Sequence, residues 1–296
     1  MAVHAITVYA GQIAIMGFGV VDTVVAGRHS EVSLAALAVA SAVFITVFVS
    51  LMGLLTALLP IWAEMHGARR PQDLGPSLRQ TLYVCALASA LGMAVLFSPA
   101  PIFRWTEIPT DLQPVVASYL AVVGWSLPAA LLFRAYSTLN QAMGKPQLVS
   151  WLQVAALVVK VPLSLALTFV LAGLPELDVV GCASATFIVN FFLLGLALLL
   201  LRTQRLYLPL ALWRWPERPD WRAQAEFARL GVPAALTLLV EITSFTLMAL
   251  FIARLGTTSA AAHQIAANVA AVLYMTPLSL AVAVILTPAL CAALLR

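Results

Sequence analysis

The chain has 296 residues, of which 62% are hydrophobic and 9% charged, whereas a soluble domain has roughly 25% charged residues. A mean hydropathy of +1.00 over the whole length leaves too little polar surface to cover a globule in water, which excludes an ordinary soluble enzyme. The net charge of +4 does not indicate a nucleic-acid partner, because the basic residues lie mostly between apolar stretches. The lipid bilayer is therefore the predicted solvent and first partner of this protein.

Eight apolar stretches are long enough to cross hydrocarbon as helices, since about 20 residues suffice. An open sheet edge in hydrocarbon would leave backbone groups unsatisfied, and the alternating pattern of a barrel strand is absent. We therefore predict an all-α integral membrane protein with about eight transmembrane helices. The predicted spans are 5–27, 33–59, 81–103, 115–141, 147–172, 180–201, 229–254 and 258–293.

The basic residues between the spans predict the orientation of the chain. One set of connections contains ten Lys and Arg residues, and the opposite set contains three. Because loops rich in Lys and Arg stay in the cytoplasm, the connections 64–79, 142–146 and 202–228 are predicted to be cytoplasmic, together with the N-terminus. The first apolar run has no basic n-region and no cleavage site, so it is predicted to be a retained span. The predicted location is the inner (plasma) membrane, crossed several times.

The longest polar stretch, 202–228, divides the chain into two predicted domains. Residues 1–201 hold six spans and are predicted to form one bundle. The stretch itself is predicted to be a cytoplasmic or interfacial linker, because tryptophans beside arginines suit the inner leaflet. Residues 229–296 hold two spans, whose layout of span, short outer loop and span repeats that at the start of the chain. A parallel repeat of this kind would need six spans in the second domain, so we expect about two thirds of a larger architecture.

Two carboxylates lie within the predicted spans, and ionisable residues there are functional candidates because burial at a helix centre costs about 2.5–3.5 kcal/mol. Asp22 lies in the outer half of the first span, and Glu241 lies near the middle of the seventh. Neither has a basic residue within one helical turn. Each must find a partner elsewhere, bind a cation or take up a proton. For Asp22 a position at the outer headgroups is the structural alternative.

Basic and amide side chains within the spans are the next candidates. Lys160 falls about halfway along the fifth span and could pair with a carboxylate across the bundle. Arg134 lies near enough to the cytoplasmic end of its span to extend to that surface. Gln264 and Asn268 are four residues apart and share one face of the eighth span. That face either lines a polar cavity or forms hydrogen bonds between helices.

Motifs for catalysis and cofactor binding are absent from the sequence. There is no P-loop, no H-E-x-x-H, no paired cysteine motif, no G-x-S-x-G and no aspartate cluster for Mg²⁺ with a diphosphate. Cys85, Cys182 and Cys291 are far apart, so we interpret them as packing residues. The chain is predicted to have no catalytic residues and no cofactor and not to be an enzyme. A secondary transporter driven by an ion gradient through a few carboxylates is the class that remains.

Five segments in order resemble the multidrug and toxic compound extrusion (MATE) family, in its NorM-like branch. They are VVDTVVAGRHS, HGARRPQDLGPSLRQ, LNQAMGKPQ, DVVGCASAT and LGVPAALTLLVEITSFTLMALFIARLGTTSAAAHQIAANVAAVLYMTPLSLAVAV. The resemblance implies twelve helices in two six-helix lobes around a central cavity. By that measure the chain supplies a complete amino lobe and the first two helices of the carboxy lobe, and we expect a transporter truncated after the eighth span.

The same resemblance implies export of cationic or amphiphilic drugs in exchange for Na⁺ or H⁺. By position, Asp22 and Glu241 match the residues that couple the cation or proton in the two lobes, so any Na⁺ would be held at one of them. Lys160, Gln264 and Asn268 are then cavity-lining candidates. No other metal site is expected.

The sequence departs from the family pattern in two ways, and two alternative functions remain. Spans nine to twelve are missing, with the further carboxy-lobe acid that usually helps Glu241. Lys160 and Ser164 stand where many members carry asparagines near the amino-lobe site. One alternative is a truncated remnant that does not transport and associates with a second copy through its incomplete carboxy lobe. The other is a lipid-linked oligosaccharide flippase of the same superfamily, which Lys160 and Arg134 permit but the acids at Asp22 and Glu241 oppose.

Overall fold

The computed structural model is helical throughout the chain segments that it describes. Those segments are residues 2–29, 31–68, 71–101, 103, 112–168, 178–210, 219–253, 270 and 273. The helices are α1 Ala2–His29, α2 Glu31–Thr56, α3 Leu58–Gly67, α4 Pro71–Phe97, α5 Gln113–Gly124, α6 Leu127–Ala142, α7 Pro146–Thr168, α8 Asp178–Thr203 and α9 Trp221–Ala253, with a 3-10 segment at Arg205–Leu210. No strand occurs in these segments, and the predicted all-α class is confirmed.

The lengths and surfaces of the helices fit a membrane protein. Five helical stretches are long and apolar enough to cross a bilayer, with α2 and α3 counted together, and the bent pair α5–α6 makes a sixth. Helix α1 has 28 residues and covers the first predicted span. Large apolar side chains such as Val20, Leu87 and Val158 are exposed on the helix surfaces, as expected where lipid is the solvent. The predicted eighth span, 258–293, lies outside the described residues apart from two single positions.

The connection predicted over 64–79 is mostly helical, which corrects its expected extent. Helix α3 continues to Gly67 and α4 already begins at Pro71. Apolar residues mark where the chain crosses hydrocarbon, but a helix keeps its backbone hydrogen bonds after it leaves the bilayer, so its ends lie elsewhere. The N–H of Ala68 still bonds to the carbonyl of Glu64 at 2.8 Å at the end of α3, and proline is tolerated in the first turn of α4 because that turn needs no N–H donor.

The predicted fourth span, 115–141, is broken into α5 and α6, which meet at an angle of 47°. Pro128 follows the break and has no N–H, so the carbonyl of Gly124 loses its helical donor. The hydroxyl of Ser126 donates to the carbonyl of Val123 at 2.7 Å, which offers the backbone a local alternative to the continuous helix. The kink therefore follows from a serine and a proline two residues apart at the centre of the span.

Helix α6 lies at the centre of the bundle, since most of its residues are buried. It packs against α2, α3, α4 and α8, while α1 packs mainly against α7 and α7 against α8. Helix α9 packs mainly against α2. A Cβ atom added to Gly53 on α2 would lie 2.6 Å from the Cα of Ala235 on α9, and one on Gly231 would lie 3.1 Å from the carbonyl oxygen of Leu54. Two glycines thus permit close approach of these backbones.

The three connections predicted to be cytoplasmic lie at the same end of the bundle. The hydroxyl of Tyr207, in the 3-10 segment, donates to Oδ1 of Asn140 near the end of α6 at 2.6 Å. The side-chain oxygen of Gln80, near the start of α4, accepts from the backbone N–H of Asp220 at 3.1 Å and from Nε2 of Gln224 at 3.2 Å. The shared location agrees with the predicted grouping of these connections. Which face of the membrane they occupy stays a prediction.

The predicted linker 202–228 is partly helical. Helix α8 continues to Thr203, and α9 begins at Trp221, ahead of the predicted seventh span. Oδ1 of Asp220 accepts from the backbone N–H of Arg222 at 2.9 Å, which caps the start of α9 and fixes where the helix begins. The division of the chain into two domains stays a prediction.

Candidate functional site

Asp22 on α1 and Lys160 on α7 form an ion pair inside the bundle. The Nζ atom of Lys160 donates to Oδ2 of Asp22 at 2.8 Å. Lys160 is 1% exposed and Asp22 8% exposed, so both charges are buried. Each residue lies about two turns before the end of its helix, which places both at the same level because α1 and α7 are predicted to cross the membrane in the same direction. The structure thus fixes which carboxylate Lys160 pairs with, a choice that the sequence left open.

The ammonium group of Lys160 has further partners that hold it in place. It donates to Oγ1 of Thr186 on α8 at 2.8 Å, and that hydroxyl in turn donates to the carbonyl of Cys182 at 3.0 Å. The ring of Phe18 lies with its centroid 5.2 Å from Nζ, within the range of a cation–π contact. A carboxylate, a hydroxyl and an aromatic face therefore surround the charge.

Two buried acceptor atoms beside this pair have no hydrogen-bond partner. They are Oδ1 of Asp22 and Oγ of Ser164. Ser164 lies one turn after Lys160 and so shares its face of α7. A buried polar atom without a partner is costly, and such atoms commonly mark a site that receives a donor or an ion. The free oxygen of the carboxylate can therefore accept one more donor, and the neighbouring hydroxyl of Ser164 is one group that can supply it.

Close packing of α1 on α7 brings the two charges together. A Cβ atom on Gly11 would lie 2.7 Å from Oε1 of Gln153, and one on Gly17 would lie 3.1 Å from a methyl carbon of Leu157. Because neither glycine has a side chain, the backbone of α1 can approach α7 closely along the turns that precede Asp22. The two helices are then close enough for the side chain of Lys160 on α7 to reach the carboxylate of Asp22 on α1.

Glu241, the second predicted coupling residue, does not belong to this cluster. It is exposed on α9, and no ion pair to it occurs among the residues that the structure describes. Helix α9 packs mainly on α2, whereas the Asp22 pair lies between α1, α7 and α8. Gln264 and Asn268, the other cavity-lining candidates, lie outside the described residues. The structure therefore joins Asp22 to Lys160 and keeps Glu241 apart.

Thr186 and Phe18 are contacts that sequence reasoning missed. The signal for Thr186 was present, since a polar residue in the small-residue segment at the start of α8 is a candidate for hydrogen bonding between helices. Phe18 lies one turn before Asp22 and so shares its face of α1. Arg134, the other basic residue in the spans, is half-buried on α6, and its Nε atom is buried without a hydrogen bond.

Cys85 and Cys182 are buried and form no disulfide within the described segments, in agreement with their interpretation as packing residues, while Cys291 lies outside the described residues. Within the described segments, no group of three or more His, Cys, Asp or Glu side chains is arranged to hold a metal ion. Arg79 is also buried, but the Asp22–Lys160 pair is the place in the described interior where an acid and a base meet.

A bundle of membrane-spanning helices with a buried, hydrogen-bonded ion pair defines a multi-pass membrane protein whose interior carries charge, as transporters do. A family model supports that class, since residues 8–166 match the MatE model. This match covers more than half of the chain. The chain belongs to the MatE family, as the sequence resemblance indicated.

Curated relatives carry NorM names. The chain is 35% identical over 95% of its length to a probable multidrug resistance protein NorM of Aromatoleum aromaticum, and covers 61% of that protein. It is 32% identical over 95% of its length to the multidrug resistance protein NorM of Vibrio cholerae, again covering 61%. The chain thus spans about three fifths of the length of these relatives.

Solved structures share the fold. An outward-facing multidrug resistance MATE family transporter of the MOP superfamily superimposes with a TM-score of 0.84 at 17% identity, over 97% of this chain and 64% of that one. The bent form of the Vibrio cholerae MATE transporter VcmN gives a TM-score of 0.78 at 18% identity, over 95% of this chain and 64% of that one. These likenesses establish the arrangement of the helices.

Proposed function

We propose that this chain is a secondary active efflux antiporter that exports cationic or amphiphilic compounds in exchange for Na⁺ or H⁺. The observation that carries the proposal is the buried carboxylate of Asp22, held between helices of a MatE-family bundle with one oxygen unpartnered. Ionisable groups buried at membrane depth mark ion or proton pathways. The names of the relatives, multidrug resistance proteins, agree with export of drugs.

Asp22 and Glu241 are the coupling residues in this proposal. An ion can drive export only if it binds one of the two conformations, inward-facing or outward-facing, more tightly than the other. The drug must prefer the opposite conformation. Asp22 lies in a packed interior with its charge compensated, whereas Glu241 is exposed on α9. The two carboxylates therefore offer one enclosed and one accessible acid. Gln264 and Asn268 are proposed to line the cavity.

The proposed location is a bacterial inner membrane, with the N-terminus in the cytoplasm. The ten basic residues of one set of connections support this orientation. The shared location of those connections at one end of the bundle supports it further.

The flippase alternative is less well supported. A diphosphate headgroup would need free cationic side chains in the cavity. The charge of Lys160 is compensated by Asp22 at 2.8 Å, which leaves Arg134 as the remaining basic candidate from the sequence. A compensated pair offers little attraction to an anionic lipid.

Efflux of a fluorescent lipophilic cation such as ethidium tests the proposal. Cells that express the full chain should accumulate less of the dye than cells with an empty vector, and the difference should vanish when the Na⁺ and proton gradients are collapsed. Asp22→Asn and Glu241→Gln should each abolish efflux while the protein remains in the membrane. For Asp22→Asn the amide oxygen can still accept the hydrogen bond of Lys160, and for Glu241→Gln neutralising the acid lowers its cost of insertion.

Asp73→Asn is the matched control, since Asp73 is an exposed carboxylate in the first turn of α4, and it should leave efflux unchanged. Dye accumulation equal to the empty vector, with the protein present in the membrane, would refute the proposal. Full efflux by either coupling variant would return that residue to a structural role.

A further inference from the structure

The Asp22–Lys160 pair already contains a cation. The ammonium of Lys160 lies 2.8 Å from the carboxylate, a separation typical of a charge-assisted hydrogen bond. The pair is neutral as a unit, and no other acidic or basic residue forms an ion pair with it in the described segments. We infer that Lys160 acts as a tethered cation that keeps alkali-metal ions away from Asp22 and so determines the ion specificity of the amino-lobe site. The inference deepens the proposed function and rests on it.

Charge balance is the first reason. A free Na⁺ added beside Asp22 while Lys160 stays in place would give the site a net positive charge. That charge would lie in a buried environment, where an uncompensated ion is strongly disfavoured. The nearby neutral groups, Thr186 and Ser164, supply hydroxyl dipoles and no second negative charge. The site therefore has one anion, and a covalently attached cation already neutralises it.

The second reason is that Lys160 is held in place. Its ammonium donates to Asp22 and to Thr186, and the ring of Phe18 lies on another side. To admit a metal ion, the side chain would have to give up both hydrogen bonds and place its charge elsewhere among apolar neighbours. Because the residue is 1% exposed, water does not offer an alternative partner nearby. Displacement by a dilute ion is thus unfavourable.

The consequence concerns where an alkali-metal ion could act. If Asp22 is closed to such ions, any Na⁺ dependence of the chain must arise at the other coupling residue, Glu241. The free Oδ1 of Asp22 and the hydroxyl of Ser164 then serve neutral or hydrogen-bonding ligands. A lysine at this position separates the ion requirement of the amino lobe from that of the rest of the chain.

Thermal unfolding of the purified full chain tests the inference without relying on transport. All proteins carry Glu241→Gln, so that Asp22 is the remaining coupling carboxylate, and unfolding is compared in NaCl and choline chloride at equal ionic strength. The parent with Lys160 should unfold at the same temperature in both salts. Lys160→Asn frees the carboxylate and adds an amide oxygen, so Na⁺ should raise its midpoint by about 2–4 °C. Adding Asp22→Asn to that variant should abolish the shift.

Two results would overturn the inference. One is a rise in the midpoint of the parent with Na⁺ that Asp22→Asn removes, because Na⁺ would then bind despite Lys160. The other is a folded Lys160→Asn protein with no response to Na⁺, because Lys160 would not be what excludes the ion. Lys160→Met takes the place of the asparagine variant if that protein does not accumulate. A rise in its midpoint with Na⁺ would support the inference, and no rise would overturn it. Since the measurement needs no efflux, a chain that fails to export drugs can still confirm or refute the role of Lys160.

Discussion

Removal of Lys160 should destabilise the protein more than removal of any exposed charge. Lys160→Met would leave the carboxylate of Asp22 buried without its counter-ion, and its Oδ1 already has no partner. Breaking one side of a buried pair typically costs about 3–5 kcal/mol. At about 2–4 °C per kcal/mol for a chain of this size class, the unfolding midpoint should fall by about 6–20 °C.

The other two corners of the double-mutant cycle should differ in a defined order. Asp22→Asn should cost less than Lys160→Met, because the amide oxygen still accepts from Lys160 and Thr186 keeps its hydrogen bond. The double variant, with Asn and Met, should recover most of the loss, since replacing both members of a buried pair is often close to neutral. The two residues would then show strong coupling.

Thermal unfolding in detergent, with choline chloride as the salt, measures the cycle. Lys145→Met is the matched control, because Lys145 is exposed at the connection between α6 and α7 and exposed charges contribute little to stability. Midpoint losses for the Asp22 and Lys160 variants no larger than the loss for this control, or losses that add in the double variant, would refute the claim that the two charges stabilise each other.

Three further experiments test the topology and the packing. With the native cysteines removed, Lys145→Cys should resist a membrane-impermeant thiol reagent applied to intact cells and Ser98→Cys, exposed at the other end of α4, should react; the opposite pattern would invert the orientation. Gly53→Leu should lower the unfolding midpoint, because a Cβ alone at this position would come within 2.6 Å of a Cα atom on α9. The expected loss of stability is about 1–3 kcal/mol. Gly19→Leu, with nothing within 4 Å, is its control, and equal midpoints would contradict the proposed contact. Tyr207→Phe leaves the buried amide oxygen on α6 without its donor at 2.6 Å, which should cost about 1–3 kcal/mol; an unchanged midpoint would show that the hydrogen bond does not hold the 3-10 segment to the bundle.

Sequence reasoning identified the helices well because apolar length is a strong signal in a bilayer. It placed the span boundaries less well, since hydropathy records where the chain meets lipid and not where helical hydrogen bonding stops. The connection over 64–79 shows this difference, because it holds the end of α3 and the start of α4. The bend between α5 and α6 is of the kind that Pro128 indicates, but proline alone does not say whether a helix bends or breaks.

The partner of Lys160 could not be read from the sequence. Asp22 lies 138 positions away, and the two meet only because α1 packs against α7. Glycines at positions 11 and 17 permit that approach, yet a glycine on a membrane helix does not specify which helix will cover it. The residue types alone predict that Lys160 pairs with a carboxylate. Which carboxylate it meets depends on the order of the helices around the bundle.

The asymmetry between the two acids bears on how the proposed antiport would work. A carboxylate with a permanent counter-ion changes its interaction energy between two conformations only if the pair is stretched or broken. Opening of α1 away from α7 would do this, because the partners lie on those two helices. Glu241, exposed on α9, has no ion pair in the described segments that would first have to break. The enclosed pair therefore favours a conformation in which α1 and α7 stay together, and in the proposed antiport Glu241 is the acid that responds directly to the ion gradient.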